Sequence, residues 1–368
     1  MKILALKENQ NNENRVALSE DIVSKYCQIG FKVFVENDAG LKSSISNHAY
    51  EKAGAKIINN IDEIINQIDI VIAVQRTDFN YKKMKEDAIF IALLNPFFNK
   101  EKIASMAESG IAIFALELIP RISRAQVMDV LSSQSNLAGY RAVIDGCYEI
   151  NKVVPMMMTA GGTISAGKFL ILGAGVAGLQ AIATAKRLGA IVSAFDVRSS
   201  TKDQVESLGA KFIEIKDSEK QDGVYAKELS SEDKKKQQEL LINHIKNQDV
   251  VISTALIPGK KAPILITKEM VSAMKSGSVI IDLGAVNGGN CELTKQGEII
   301  EVNGVKIIGY ENFASRVAID ATKMLAKNIF NFIELFVDKQ NKTIFINNTD
   351  EIIKNTLVAY KKSVISIN

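Results

Sequence analysis

Along the first 120 positions, short apolar runs alternate with amphipathic stretches. The runs at residues 3–6, 32–35, 70–74, 88–93 and 111–115 have strand length and composition. Residues 20–29 and 100–109 carry apolar positions at helical spacing, and Gly110 stands where a helix C-cap belongs. Strands alternating with helices predict a parallel sheet covered on both faces.

A second alternating series opens near residue 168. Its strands are expected at 169–172, 191–195, 250–253, 279–282 and 306–308, and its helices at 176–188, 200–208, 232–245 and 268–274. Between the two series, residues 124–150 read as helical, with Ser132 and Ser135 as candidate caps of an internal break. Residues 317–337 are also helical in period and are expected to cross back to the first series. Two such series predict an α/β chain of two doubly wound parallel-sheet domains with a cleft between them, a usual place for a ligand.

Composition narrows the chemistry. The chain has 368 residues, a net charge of +3, two histidines, three cysteines and no tryptophan. Two distant histidines and cysteines without a C-x-x-C spacing argue against a metal site or a dithiol pair. A sparse, odd cysteine count suits a reducing compartment. Near-neutral charge does not point to nucleic acid. The longest uncharged apolar stretch, 169–185, is short for a bilayer span, and the N-terminal apolar run is short for a signal-peptide core, so no direct membrane span is expected.

That apolar stretch contains Gly173, Gly175 and Gly178 in the pattern G-x-G-x-x-G. It follows a strand-like run and opens a helix, and Asp196 ends the next predicted strand. Together these form the dinucleotide-binding arrangement. Gly173 permits the turn, Gly175 lets backbone approach a pyrophosphate, and Gly178 lets helix and strand close up. Asp196 would accept from the adenosine ribose hydroxyls, favouring NAD(H) over NADP(H). Arg198 nearby cuts against that preference, because an arginine there can accommodate a 2′-phosphate. A near P-loop at Gly162–Phe169 fails, since Phe169 lacks the needed hydroxyl and the segment precedes a strand.

A second constellation is Arg121, Arg124, Gln126, Asp129 and Ser132. Only 8 of the 45 basic residues are Arg, and three of them (Arg121, Arg124, Arg141) cluster here. Arginine in a lysine-biased chain suggests a need for a planar fork of donors. Gln126, Asp129 and Ser132, three apart, would share one side of a helix starting near Arg124 and suit a carboxamide ligand. A polar helix face bridging two domains is the plain alternative. His48 and His244 lie in helical stretches away from these motifs and read as structural or surface residues. The polar stretch 218–238 reads as a surface excursion, in which Tyr225 beside Gly223 could close over a ligand.

RISRAQVMDVLSSQSNLAGYRAVIDG, PMMMTAGGT, GAGVAGLQAIATAKRLGA, FDVRSSTKDQVESLGAKF, TALIPGKKAP and SVIIDLGAVNGGN resemble the NAD(H)-binding component of proton-translocating nicotinamide nucleotide transhydrogenases. The resemblance runs over nearly the whole chain, and alanine dehydrogenases share its architecture. It implies two Rossmann-like domains, here 1–131 with 319–368, and 132–318. It implies that Arg121, Ile122, Ser123, Arg124, Gln126, Asp129 and Ser132 hold the nicotinamide end, with Arg121, Gln126 and Asp129 positioning the ring and no general base. Gly173, Ala174, Gly175, Val176 and Gly178 would hold the pyrophosphate, and Asp196, Val197 and Arg198 the ribose. Gly223 and Tyr225 would lie on a mobile loop, with Gln237 and Leu256 also lining the site.

The resemblance further implies a homodimer exchanging a hairpin at 155–168. A membrane-spanning subunit and an NADP(H)-binding subunit would be separate chains, and this one would sit in the cytoplasm, held at the inner membrane through them. Alanine dehydrogenases carry a catalytic His where this chain has Asn95, a substrate-binding Lys near Gln75 and Arg76, and a carboxylate where it has Val286 and Asn287. Hydride transfer between two nicotinamides releases no proton at the reacting carbons, so a site without a base suits it. A soluble amino-acid dehydrogenase and a non-catalytic NAD(H)-binding module are the alternatives.

Overall fold

The computed structural model describes residues 1–214, 231–257 and 259–365, with backbone only over 231–237. The chain divides into two units, Met1–Gln134 with Ser315–Asn368, and Ser135–Ala314. It is an α/β fold built on two sheets.

In the first unit the sheet has eight strands. Their order is Ser363–Val364, Leu357–Tyr360, Ala112–Ala115, Ile89–Ala92, Ile70–Ile72, Lys2–Ala5, Lys32–Glu36 and Lys56–Ile58. The strands from Ala112–Ala115 to Lys56–Ile58 are parallel, and the two at the other edge are antiparallel additions. Central strands such as Ile70–Ile72, Ile89–Ala92 and Ala112–Ala115 are buried at every position, which explains their unbroken apolar runs. Tyr26, Phe114, Phe332 and Phe336 pack one face, brought together by helices Glu20–Gln28 and Ala318–Ile333.

In the second unit the order is Lys211–Phe212, Ile191–Phe195, Lys168–Leu172, Val250–Ser253, Val279–Asp282, Val305–Ile308 and Ile299–Val302, with only the last antiparallel. Counted along the chain, the parallel strands of both units follow the order 3-2-1-4-5-6, the doubly wound arrangement.

The helical reading of 124–150, with Ser132 and Ser135 as candidate caps of an internal break, is corrected in where that break falls. Ser123–Met128 is a 3-10 helix, Asp129 is extended, and the α-helix runs Val130–Glu149. Asp129, not Ser132, caps it. Its carboxylate accepts from the Ser132 amide at 2.9 Å and the Ser132 hydroxyl at 2.5 Å. The break lies at the start of the helix because a carboxylate there satisfies amides that lack intrahelical partners.

One loop ties the first unit together. Arg15 forms a buried pair with Glu13 and donates to Gln134 Oε1 at 2.8 Å. The Asn14 amide donates to Ser315 Oγ at 2.7 Å, and the Val16 amide to Thr322 Oγ1 at 3.1 Å. Gln134 and Ser315 are the residues at which the chain leaves this unit and re-enters it. Among the described residues, no helix is long and apolar enough to cross a membrane.

Candidate dinucleotide site

Strand Lys168–Leu172 ends in Gly173, which adopts φ +100, and helix Val176–Arg187 begins three residues later with Gly175 as its N-cap. A Cβ on Gly178 would lie 1.8 Å from the Gly173 carbonyl oxygen, so this close approach of helix to strand admits only glycine. Gly175 differs. A Cβ there would meet nothing within 4 Å. Packing within the chain does not explain that glycine.

Asp196 follows strand Ile191–Phe195 directly. Its Oδ2 accepts from the Ala174 amide at 2.7 Å and its Oδ1 from the Arg198 amide at 2.8 Å. The Arg198 guanidinium spans both oxygens at 2.9 and 2.8 Å. Burial works against the charge, but the hydrogen bonds from Arg198 and Ala174 outweigh it and hold the carboxyl below its ordinary range. Val197 lies between them. Across the sheet, the Thr254 hydroxyl donates to the Gly173 carbonyl at 3.1 Å, and Leu256, two residues on, is exposed. The topological switch point of this sheet lies between Lys168–Leu172 and Val250–Ser253, so the turn, Asp196 and Leu256 all follow strand ends where ligands of this fold bind.

In the first unit, Pro120, Arg121, Ile122, Ser123, Ala125, Gln126, Asp129 and Ser132 line a cavity of about 270 Å³. The 3-10 geometry matters here. With three residues per turn, Ser123 and Gln126 stack on one face, and Asp129 follows just beyond its end. In an α-helix residues three apart would also share a side, but offset by a partial turn rather than stacked. The Gln126 side chain is exposed and makes no hydrogen bond among the described residues. Arg124 is turned elsewhere. It forms a bidentate pair with Asp350 at 2.8 and 3.0 Å and does not line the cavity. Arg141, in the second unit, pairs with Asp145.

Gly223 and Tyr225 lie outside the described residues, as does the side chain of Gln237 in helix Ser231–Ile245. His48 is exposed on helix Asn47–Lys52, and His244 is half-buried in the last turn of its helix.

The sequence matches the alanine dehydrogenase/PNT N-terminal domain over residues 4–138 and the corresponding C-terminal domain over 142–366. The chain belongs to the alanine dehydrogenase/PNT family. It is 49% identical over 369 residues to an NAD(P) transhydrogenase subunit alpha chain of Rhodospirillum rubrum, covering 97% of this chain and 96% of that one. The structure of a transhydrogenase from Sinorhizobium meliloti superposes with a TM-score of 0.91 at 46% identity, covering 99% of this chain and 100% of that one. Alanine dehydrogenase 1 of Staphylococcus aureus is 33% identical over 92% of this chain and 88% of its own length. Proteins of the family use nicotinamide dinucleotides.

Within the family frame, a second cavity of about 280 Å³ becomes informative. Gln10, Gln75, Thr77, Asn95, Asn99 and Lys102 supply its polar lining. Asn95 holds a left-handed backbone at φ +46, and its amide and that of Leu94 both donate to Glu117 Oε1. Glu117 Oε2 is buried without a partner among the described residues, and burial pushes its carboxyl up to about 7. Neutral amides stand at positions 75 and 95. Val286 is exposed on the 3-10 turn Ala285–Asn287. Sequence reasoning missed Thr254, whose contact with the glycine turn has no local signature.

Proposed function

We propose that this chain is the NAD(H)-binding subunit of a proton-translocating transhydrogenase, passing hydride from NADH to NADP⁺ held by a partner subunit. The observation that carries this reading is the glycine turn, where Gly175 faces open space at a helix N-terminus while Asp196 stands at the next strand end. Those residues fit a dinucleotide. The helix N-terminal amides and the extended Gly175 suit a pyrophosphate, and the Asp196 carboxylate suits a ribose diol. Ribose hydroxyls would take acceptor positions that Arg198 now fills, so Arg198 must yield part of its grip on binding.

The bound dinucleotide supplies the hydride; the chain supplies placement. The Gln126 amide can accept from and donate to a carboxamide, fixing which face of the ring is presented. Asp129, held by Ser132, keeps the cavity wall rigid beside it. Arg121 and Ser123 add donors along the same wall. Amides at positions 75 and 95 favour this reaction over amino-acid oxidation, which needs an acceptor for the proton that leaves with the hydride.

Assembly follows the same reading. The hairpin Met157–Thr159 and Gly162–Ile164 exposes Met156, Met157, Met158 and Ile164, and Tyr148 is exposed on the preceding helix. Exposed apolar side chains in such number favour burial against a second copy of the chain. A membrane-spanning subunit and an NADP(H)-binding subunit complete the enzyme and would hold this chain peripherally at the cytoplasmic side of the inner membrane.

The test is to mix the chain with an NADP(H)-binding component and follow hydride exchange between NADH and an NADP⁺ analogue. Exchange is expected. Its absence with a competent partner, or NAD⁺ reduction by alanine, would overturn the proposal in favour of a binding module or an amino-acid dehydrogenase respectively.

A further inference from the structure

Asp282 and Asn290 are both fully buried, and neither belongs to the glycine turn or to the Asp196 pair. Asp282 ends strand Val279–Asp282 and accepts from five donors. These are the amides of Gly284 (2.9 Å), Asn290 (2.8 Å) and Cys291 (3.0 Å) and the hydroxyls of Ser253 (3.2 Å) and Thr294 (2.6 Å). A carboxylate saturated in this way fixes the backbone that curls around it. Here it fixes the path of Gly284–Asn290 and so the direction of the Asn290 side chain.

The Asn290 amide then works on the neighbouring strand end. Its Oδ1 accepts from the Ala255 amide at 3.1 Å. Its Nδ2 donates to the carbonyls of Ala255 and Pro263, both at 2.8 Å. One side chain therefore grips Ala255 on both its polar groups and ties it to Pro263. Ala255 stands between Thr254, which is bonded to Gly173, and Leu256, which is exposed.

We infer that Asn290, locked by Asp282, is a positioning residue for the half of the dinucleotide beyond the pyrophosphate, acting by holding Leu256 in place. This rests on the proposed NADH site. The direction follows from topology. Asp196, on the second strand, takes the adenosine ribose on one side of the switch point, so the rest of the molecule must cross to the fourth strand, Val250–Ser253, where Leu256 follows. Asparagine is needed for chemical reasons. The site requires one acceptor and two donors on a planar group, and aspartate in its place would offer no donor and would bring a second carboxylate next to Asp282.

The experiment measures NADH and ADP binding separately to the intact protein. ADP carries the adenosine ribose and the pyrophosphate but nothing beyond. Asn290→Ala and Asn290→Asp are expected to weaken NADH binding about 10-fold or more, with Asn290→Asp at least as damaging, while ADP affinity stays within about 2-fold. Leu256→Ala, an exposed substitution that leaves the network intact, should reproduce the same split and guards against a misfolded Asn290 variant. Equal weakening of NADH and ADP would reduce Asn290 to a general structural role and overturn the inference. So would unchanged NADH binding in the Asn290 variants or in Leu256→Ala. Failure of the unaltered protein to bind either ligand would instead defeat the NADH-site reading itself.

Discussion

The two sheets share a strand order but treat their switch points in opposite ways. In the second unit a three-residue turn leads from strand Lys168–Leu172 into helix Val176–Arg187, leaving the helix N-terminus bare. In the first unit strand Lys2–Ala5 is followed by a long irregular segment, and the next helix starts only at Glu20. There the protein's own carboxylate fills the place. Glu8 accepts from the Val74 amide at 2.7 Å and the Gln75 amide at 3.3 Å, just beyond strand Ile70–Ile72. In one unit the helix N-terminus at the switch point carries no side-chain cap, and in the other a buried carboxyl occupies the strand-end amides there. Fold topology alone therefore does not distinguish the two units; the first turn after the first strand does, and the proposed dinucleotide site rests on it.

The comparison can be broken most severely at the glycine turn. Gly178→Ala would drive a Cβ against the Gly173 carbonyl and is expected to cost several kcal/mol of stability in the second unit and all NADH binding, read by thermal unfolding and fluorescence titration. Gly175→Ala is the sharper partner experiment. The free protein has room for the methyl, so stability should hold while NADH affinity falls about 10-fold or more. Retained affinity there would remove the main support for the pyrophosphate assignment.

Asp196→Ala comes next. Losing a charge-assisted acceptor should weaken NADH binding by about 1.5–3 kcal/mol, roughly 10- to 150-fold, and unchanged affinity would refute the ribose role. Gln126→Ala probes the ring-orienting role proposed for the first unit. It should slow hydride transfer by about 10-fold or less, with a smaller effect on NADH affinity; equal losses would contradict a ring-orienting role.

The smallest expected effect concerns the internal anion. Burial pushes the Glu8 carboxyl up to about 7 against the amides of Val74 and Gln75 that favour its charge. A carboxyl that keeps its proton to higher pH when folded than when unfolded stabilises the fold below its unfolded value, and that stability is lost as pH rises through about 7. Glu117 contributes in the same sense. Unfolding temperature should therefore drop between pH 5 and pH 8, and Glu8→Gln should flatten the drop without abolishing it. An identical slope in the variant would mean that Glu8 is not the titrating group.

Much of this could be read directly from the sequence, and the gaps have physical causes. Buried parallel strands such as Ile89–Ala92 and Val250–Ser253 announce themselves because both faces must be apolar. Edge strands do not. Lys211–Phe212 is too short to show a period, Ile299–Val302 has no fully buried position, and Lys56–Ile58 pairs on one side only. The strand Leu357–Tyr360 was hidden because nothing local says that a chain end will return to Ala112–Ala115. At the site, the Gly-rich turn and Asp196 were legible from spacing. The 3-10 turn at Ser123–Met128 was not, since spacing of three suits both helix types until the cap at Asp129 decides between them. Asp282 and Asn290 act through backbone, which leaves no pattern in side-chain chemistry.

The loop Glu13–Val16 has a consequence for how the chain comes into being on the ribosome. Its bonds reach Gln134, Ser315 and Thr322, so the latest of them must wait until more than 300 residues have been made. The strand Leu357–Tyr360, which pairs with Ala112–Ala115, waits longer still. The second unit is one continuous stretch and is complete by Ala314. The second unit can thus close while the first still holds an open sheet edge beside Ala112–Ala115, and that waiting edge is where pairing with a neighbouring nascent chain would be most damaging.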